Sequence, residues 1–326
     1  MANSVTLNDV ARLAGVHPGT VSRVLSRPEL VNSQTREKVI KAVEETGYVP
    51  NLAARHLAGG KSATIAIIVP DIMNPFFAAI AHSVQYTARR SERLVLFADC
   101  NSSAMEEREA IISLARNVDG IIVCAPVSDP NELAKAALGV PVVFVNSEGG
   151  KNTSVVIDQE AIIKLAIEHL MVLGHTNIAV VSGPRSFWST KIRNKVLSNL
   201  IKSRRELNIS LLKAVEPNFE GGKSCAKEIR SLRVTAVAAF NDLQALGVIV
   251  GLTGFGVGVP NEVSVVGSDG LPIGEIMIPS LTSIVAPLNR IGEVALELMD
   301  KRIHGESELL VKVSPYLIPR GSTAPC

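Results

Sequence analysis

Thr6–Leu25 reads TLNDVARLAGVHPGTVSRVL. The stretch spells two short helices joined by a tight turn. Thr6 can cap the first, with Asp9 three residues on, close to a capping box. Leu7, Val10, Ala11 and Ala14 recur at helical spacing and form one apolar stripe. Gly15 ends that helix, because glycine turns left-handed without steric cost. Pro18 suits the first position of a second helix, where its missing N–H is no loss. Val21, Val24 and Leu25 make the second stripe and leave Thr20, Ser22 and Arg23 on the opposite face. A polar, basic face on a short second helix is what a helix-turn-helix lays in a DNA major groove. The same spacing also fits a helical hairpin with an ordinary solvated face, so the flanking sequence decides.

Working outward, Arg27-Pro28 stops the second helix. Asn32 can cap a third, expected over Ser33–Thr46, with Val39, Ile40 and Val43 at helical spacing, Gly47 as its end and Tyr48 closing a small core. Three helices in residues 1–49 match a minimal DNA-binding headpiece, whose core is small for its surface. Residues 49–62 read VPNLAARHLAGGKS. Pro50 and Gly59-Gly60 bracket Asn51–Ala58, a run of good helix formers too short to hold as an isolated helix. The expectation for 50–61 is a linker whose helicity depends on what it touches.

From Ala63 the grammar changes. Apolar runs at 64–70, 93–99, 120–126, 141–146, 177–183, 235–242 and 262–267 alternate with helical patterns at Phe76–Arg90, Ala104–Arg116, Ala161–Leu173 and Asn241–Leu252. Continuous Val/Ile runs alternating with helices predict an α/β fold, parallel sheets with helices on both faces. So many strands in residues 62–326 suggest two lobes. Ligands of such sheets lie at the carboxyl ends of the strands. Asp71, Asn74, Asp99, Asn146, Ser182, Asn241-Asp242 and Asp269 all fall just past predicted strands, with Phe76-Phe77 and Phe187-Trp188 nearby. Carboxylates, amides and rings suit a sugar, polyol or nucleoside. Asp and Asn also cap helices, the competing explanation for any one of them.

Composition narrows the classes. The chain has 326 residues, 47% of them hydrophobic, with 33 Lys/Arg against 31 Asp/Glu. Residues 1–61 carry eight basic and five acidic side chains, a net of +3 that leaves −1 for the rest, a mild basic bias at the N-terminal end consistent with DNA contact. MANSVTLNDV has neither the basic nor the apolar region of a signal peptide, and no apolar run reaches a membrane span, so a cytoplasmic protein is expected. Cys100, Cys124, Cys225 and Cys326 form no CxxC pair, and the six histidines show no metal-ligand spacing, so no cofactor is expected. GGKS occurs at 59–62 and 221–224, but Arg55 and Pro217 stand where a phosphate loop needs glycine. The 254–258 run GFGVG is not GxGxxG, and no GxSxG elbow occurs. No nucleophile, base and electrophile constellation stands out, so an enzyme is not expected.

Longer motifs resemble one family. TLNDVARLAGV…TVSRVL, VNSQTREKV and GYVPNLAARHL are similar to the headpiece and hinge of the LacI/GalR family of bacterial transcription regulators. IAIIVPDIMNPFF, EHLMVLGHTNIAVVSGP, FNDLQALG, VPNEVSVVGSDG, PSLTSIVAPL and PRGST follow in family order. The resemblance implies a helix-turn-helix headpiece (1–49), a hinge helix (50–61) and a two-lobed core like a periplasmic sugar-binding protein (62–326). Lobe 1 is expected over 62–160 plus 288–305 and lobe 2 over 161–287 plus 306–326. It also implies a homodimeric, ligand-responsive repressor on double-stranded, pseudo-palindromic operator DNA, with a small sugar, nucleoside or purine as effector that reorients the lobes. No leucine heptads follow Pro319, which argues against tetramers built by such a tail.

Residue by residue, the family's two specificity positions at the start of the recognition helix are Pro18 and Gly19, which have no side-chain donor. Thr20, Ser22 and Arg23 fit the family pattern, with Arg23 the best candidate for a guanine contact. His17 replaces the usual Ser and is expected to cap poorly; it reaches phosphate or base, or is a partly exposed turn residue. Leu57 matches the hinge leucine wedged into the minor groove, the alternative being a dimer contact. Phe76, Asp158, Arg193, Asn241 and Asp269 match effector-facing positions, although Ser268, Gln159 and Val196-Leu197 depart from the family pattern. Together the two readings nominate Thr6, His17, Thr20, Ser22, Arg23, Asn32, Asn51 and Leu57 for DNA, and Asp71, Asn74, Phe76, Phe77, Asp158, Trp188, Arg193, Asn241 and Asp269 for effector.

Overall fold

A computed structural model describes residues 5–26, 28–48, 62–213, 215–306 and 310–326. The expected hinge, with Asn51 and Leu57, lies outside the described residues. The chain divides into two units, residues up to Ser62 and Ala63–Cys326.

Among its described residues the first unit has three α-helices, α1 (Leu7–Ala14), α2 (Pro18–Ser26) and α3 (Ser33–Thr46). Val10, Ala11, Val21, Val24, Val39, Ala42 and Tyr48 form its core. Gly15 and Gly47 both adopt the left-handed conformation that ends α1 and α3. Ile40, expected inside, is 45% exposed; Ala42 is buried in its place. Val39 and Ala42 lie three residues apart and share a helix face, whereas Ile40 is turned about 100° away from Val39.

Among its described residues the second unit holds two six-stranded sheets. In the first, β1 (Thr64–Val69), β2 (Leu94–Asp99), β3 (Gly120–Cys124), β4 (Val142–Val145), β5 (Thr153–Ile157) and β11 (Leu310–Val313) are all parallel, in the order 11-5-4-3-1-2. In the second, β6 (Asn177–Val180), β7 (Asn208–Leu211), β8 (Ala236–Ala238), β9 (Ser264–Asp269), β10 (Thr282–Val285) and β12 (Tyr316–Ile318) run 12-10-9-8-6-7, with β12 antiparallel. All six residues of β1 are buried. Ile65, Ile67 and Val69 join one cluster while Ala66 and Ile68 join another, so alternate side chains fill cores on opposite faces. Each such isoleucine contributes roughly 1.5–3 kcal/mol by leaving water.

The helices that position the cleft are α4 (Pro75–Arg89), α5 (Ala104–Leu114) and α6 (Pro130–Ala136) of lobe 1, then α7 (Gln159–Val172) and α8 (Trp188–Ser203) of lobe 2. They are followed in lobe 2 by α9 (Phe219–Ser224), α10 (Ala226–Leu232), α11 (Asp242–Gly254) and α12 (Ile273–Ile276), and in lobe 1 by α13 (Leu288–Ile303). The chain passes between the sheets three times: after β5, after β10, and between β11 and β12. This corrects the expected lobe division. Leu310–Val313 pairs with β5 in the first sheet, so only the chain beyond it returns to lobe 2. The pairing extends one residue past β5: Asp158 N–H donates to the Val313 carbonyl at 3.0 Å.

Candidate functional site

The outer face of α2 carries Ser22 and Arg23, both exposed, with Thr20 half-buried beside them. Val21 and Val24 point into the core and fix that orientation. Around this helix, several nominated residues shape backbone. His17 caps α2 after all: Gly19 N–H donates to its Nδ1 at 3.1 Å. The expectation of a poor cap fails because an imidazole nitrogen can accept in place of a hydroxyl, and because Gly19 leaves room. A Cβ there would sit 3.2 Å from that nitrogen. Thr6 donates both its N–H and its hydroxyl to Asp9, at 2.9 and 2.7 Å, and the hydroxyl bond is the first cause holding the Asp9 carboxyl below its usual range. Asn32 caps α3 by accepting from Thr35 N–H at 2.8 Å. Both remain exposed.

In the second unit, a cleft of about 890 Å³, solvent at its mouth included, opens where strands of both sheets end. Eight of the nine residues nominated for effector line it: Asp71, Asn74, Phe76, Phe77, Trp188, Arg193, Asn241 and Asp269. Asp158 does not. It sits at the N-terminus of α7, where its carboxylate accepts from Glu160 and Ala161 N–H, both at 3.1 Å, and lies 3.6 Å from Lys312. Gln159, one residue on, turns into the cleft instead.

Gln159 is the joint of the polar wall. Its Nε2 donates to Asn146 Oδ1 and its Oε1 accepts from Arg193 Nε, each at 2.8 Å. Arg193 Nη1 donates to the Phe240 carbonyl at 2.6 Å, and the guanidinium stands 4.6 Å from the centre of the Phe240 ring. Arg193 and Asp269 are both buried. Burial pulls the Arg193 pKa down to about 10, against the opposing pull of Asp269. Burial pushes Asp269 well up, the neighbouring Asp242 adds to that, and Arg193 works the other way. Asp242 itself is tied down by Ser283 Oγ at 2.6 Å and Leu271 N–H at 2.7 Å.

Two nominated amides are partly or wholly spent on the fold. Asn241 Oδ1 accepts from Gln244 N–H at 2.9 Å and its Nδ2 donates to the Pro217 carbonyl at 2.8 Å. Asn74 Oδ1 accepts from Phe76 N–H at 3.0 Å. Phe76 and Phe77 meet edge to face at 5.1 Å and, with Trp188, supply apolar surface.

Backbone strain gathers here. Ser102, Ala125, Asn146 and Asp269 all line the cleft and all have positive φ, from 42° to 128°. Non-glycine residues in such conformations cost of order 1–3 kcal/mol each and cluster where geometry serves function. The sequence reading did not nominate Gln159, Phe240, Glu216 or Asn218, which also line the cleft. Gln159 was one position from a nominated residue, at the first turn of a helix beginning at a strand end, and Phe240 lies within the predicted strand 235–242. Glu216 and Asn218 stand in a connection with no such mark. Among the described residues, no group of His, Cys, Asp or Glu is arranged to hold a metal, and no helix is long and apolar enough to cross a membrane.

Comparison with known proteins agrees along the whole chain. Residues 6–51 match the family described as bacterial regulatory proteins, lacI family, and residues 167–323 match a periplasmic binding protein-like domain. The chain is 31% identical over 329 residues to the HTH-type transcriptional regulator GalS of Salmonella typhimurium, covering 98% of this chain and 97% of that protein. It is 33% identical to the HTH-type transcriptional repressor PurR of Vibrio vulnificus, covering 97% of each. The crystal structure of the Lac repressor dimer bound to operator and the anti-inducer ONPF superposes with a TM-score of 0.91 at 28% identity, covering 99% of this chain and 100% of that one. The relatives are transcriptional regulators rather than enzymes. With identity above 30% across nearly all of two regulators, and a matching helix-turn-helix segment, the chain belongs to the lacI family of bacterial regulatory proteins.

Proposed function

We propose that this protein is a cytoplasmic, ligand-responsive repressor without enzymatic activity, which binds a near-palindromic operator as a homodimer. The observation that carries the reading is the pairing, in one chain, of an exposed polar face on α2 with a ring-walled polar cleft at the strand ends of a two-lobed core. Arg23 reads a base through its forked guanidinium, with Thr20 and Ser22 beside it. Exposed Thr6, His17 and Asn32 stand at helix starts, where backbone N–H groups favour phosphate. Leu57 and Asn51 of the hinge act at the operator centre, Leu57 by wedging a base step apart. A small sugar- or nucleoside-like effector stacks on Phe76, Phe77 and Trp188 and hydrogen-bonds Arg193, Asp269, Asp71 and Asn74. Asn241 holds the wall from behind, and Asp158 supports the turn into α7. Ligand shifts the balance between lobe arrangements and so changes operator affinity. Dimerisation has support in the open edge of the first sheet. Leu94, Leu96 and Phe97 on β2 and Tyr86 on α4 are 40–63% exposed, an apolar edge that proteins normally cover.

The deciding experiment is selection of duplexes from a random pool by the purified protein. The expected product is a near-palindromic site whose affinity falls steeply with salt. Enrichment of no sequence at moderate salt would remove the repressor reading. On the selected site, Arg23→Ala should cost about 1–3 kcal/mol and much less on random duplex.

A further inference from the structure

The charges around the cleft are unevenly matched. Asp71, Glu216 and Asp269 line it, and Arg193 is the only cationic side chain among the described residues that do so. Two of its N–H donors are already used, Nε on Gln159 and Nη1 on the Phe240 carbonyl, and the guanidinium stands over the Phe240 ring. Asp71 and Glu216 therefore leave the cleft mouth negative whether or not the buried Asp269 is ionised.

Helix N-termini could still attract an anion. Five helices start at cleft-lining residues, and in four of them the first donors are already taken. Phe76 N–H goes to Asn74, Glu160 and Ala161 N–H go to Asp158, Gly221 N–H goes to Asn218, and Gln244 N–H goes to Asn241. The fifth, at Trp188, has Phe187 in the capping position and no side-chain acceptor. Its partial positive charge stands alone against the carboxylates. Facing these groups are hydroxyl-matching acceptors and donors: the Asp71 and Asp269 carboxylates, the Asn146 amide and Ser189.

We infer that the cleft selects an uncharged polyhydroxylated ligand, such as a free sugar or nucleoside, and rejects the phosphate monoester of the same molecule. The inference rests on the cleft being the effector site, as proposed above, and it adds the charge of the effector. A phosphate group would bring negative charge into a cleft whose one lining cation among the described residues, Arg193, is already outnumbered by Asp71 and Glu216, whereas neutral hydroxyl groups can donate to the carboxylates and accept from the remaining Arg193 N–H groups.

The chain carries its own probe, because Trp188 is its single tryptophan and stands in the cleft. Quenching of Trp188 emission by caesium and by iodide, at equal ionic strength, reads the sign of the local field in the full-length protein. Caesium should quench at least about twofold more efficiently than iodide after normalisation to the same ions acting on free indole. The Asp71→Asn/Glu216→Gln variant, checked for an unchanged unfolding transition, should bring the two closer together. Equal or better quenching by iodide in the natural protein would overturn the inference, as would an unchanged ratio in the folded variant.

Matched pairs then test the ligand itself through Trp188 emission: glucose with glucose 6-phosphate, ribose with ribose 5-phosphate, adenosine with adenosine 5′-monophosphate. Where a pair binds, the neutral member should bind at least about tenfold more tightly. A phosphate ester that binds more tightly than its neutral partner would overturn the inference. Silence of all pairs and of a wider panel of neutral sugars and nucleosides, with caesium still preferred, would count against the cleft as effector site while the charge selectivity stood. The two failures are thereby distinguishable.

Discussion

Arg193 meets Phe240 twice, by a 2.6 Å hydrogen bond to its carbonyl and by a guanidinium 4.6 Å from its ring centre. One side chain thus ties α8 to the end of β8, while its Nε holds Gln159 at the start of α7.

Arg193→Met should abolish the effector response and cost about 1–3 kcal/mol in urea unfolding, since it leaves polar partners unsatisfied. Asp269 then faces Asp242 without Arg193 to oppose their repulsion. Arg193→Met/Asp269→Asn should be less destabilised than the sum of the single variants, by at least about 0.5 kcal/mol. Strict additivity in a double-mutant cycle would show that the two side chains are not energetically coupled.

His17 predicts a local effect. His17→Ala should destabilise the headpiece by about 1 kcal/mol, and His17→Asn should restore most of it, because Asn is a good cap. Gly19→Ala should also destabilise, through the 3.2 Å approach of the new Cβ to the ring nitrogen. Thermal melting of the headpiece signal by circular dichroism checks all three. A neutral His17→Ala would mean that the Gly19 bond contributes nothing.

His175 sets a pH dependence. It is buried, with Nδ1 3.0 Å from Thr235 Oγ1 and Nε2 3.1 Å from Ser264 Oγ and 3.0 Å from the Ala324 carbonyl. Burial lowers its pKa, opposed by the Ala324 bond, and burial likewise lowers that of His169. The unfolded chain then binds protons that the native one refuses. The stability from neutral His175 is complete above the unfolded value of about 6.5 and is lost as pH falls below it. Melting temperature should drop from pH 7.5 to 5.5, and the drop should be smaller in His175→Gln. Parallel pH profiles for the two proteins would contradict this.

Thiol chemistry should separate the cysteines. Cys100, Cys124 and Cys225 are buried and Cys326 is exposed. Burial pushes the Cys100 thiol up to about 12, raises Cys225, and raises Cys124 further still. A disulfide reagent at neutral pH should titrate Cys326 quickly and the other three only as the protein opens. Fast reaction of Cys100 would show that its pocket is open to solvent.

What could be read in advance divides along physical lines. β1 was visible because a strand buried on both faces is a continuous apolar run, and α3 because Asn32 and Gly47 mark its ends. β11 was not, since its outer residues are half exposed and LVKV reads as a surface strand that either lobe could take. The cleft was foreseeable as a set of strand ends. The division of labour within it was not, because which of Asp158 and Gln159 caps the helix and which enters the cleft depends on side-chain direction. Similarly, only coordinates reveal that both ends of the Asn241 amide are used by Pro217 and Gln244. The left-handed backbone at Ala125 and Asp269 is equally silent in the sequence, where neither residue type signals it.

The three passages between the sheets bear on how such a chain can be rearranged. Each lobe of the core is assembled from separate lengths of sequence, and the first and last passages are laced by the Asp158–Val313 hydrogen bond. Neither lobe can be lifted out as a single segment of gene, and a residue gained or lost in one passage must be absorbed by the others. Residues up to Ser62 are continuous and need only one join. Recombination can therefore exchange what the protein reads on DNA in one event, while the sensing half must be inherited whole and altered one side chain at a time.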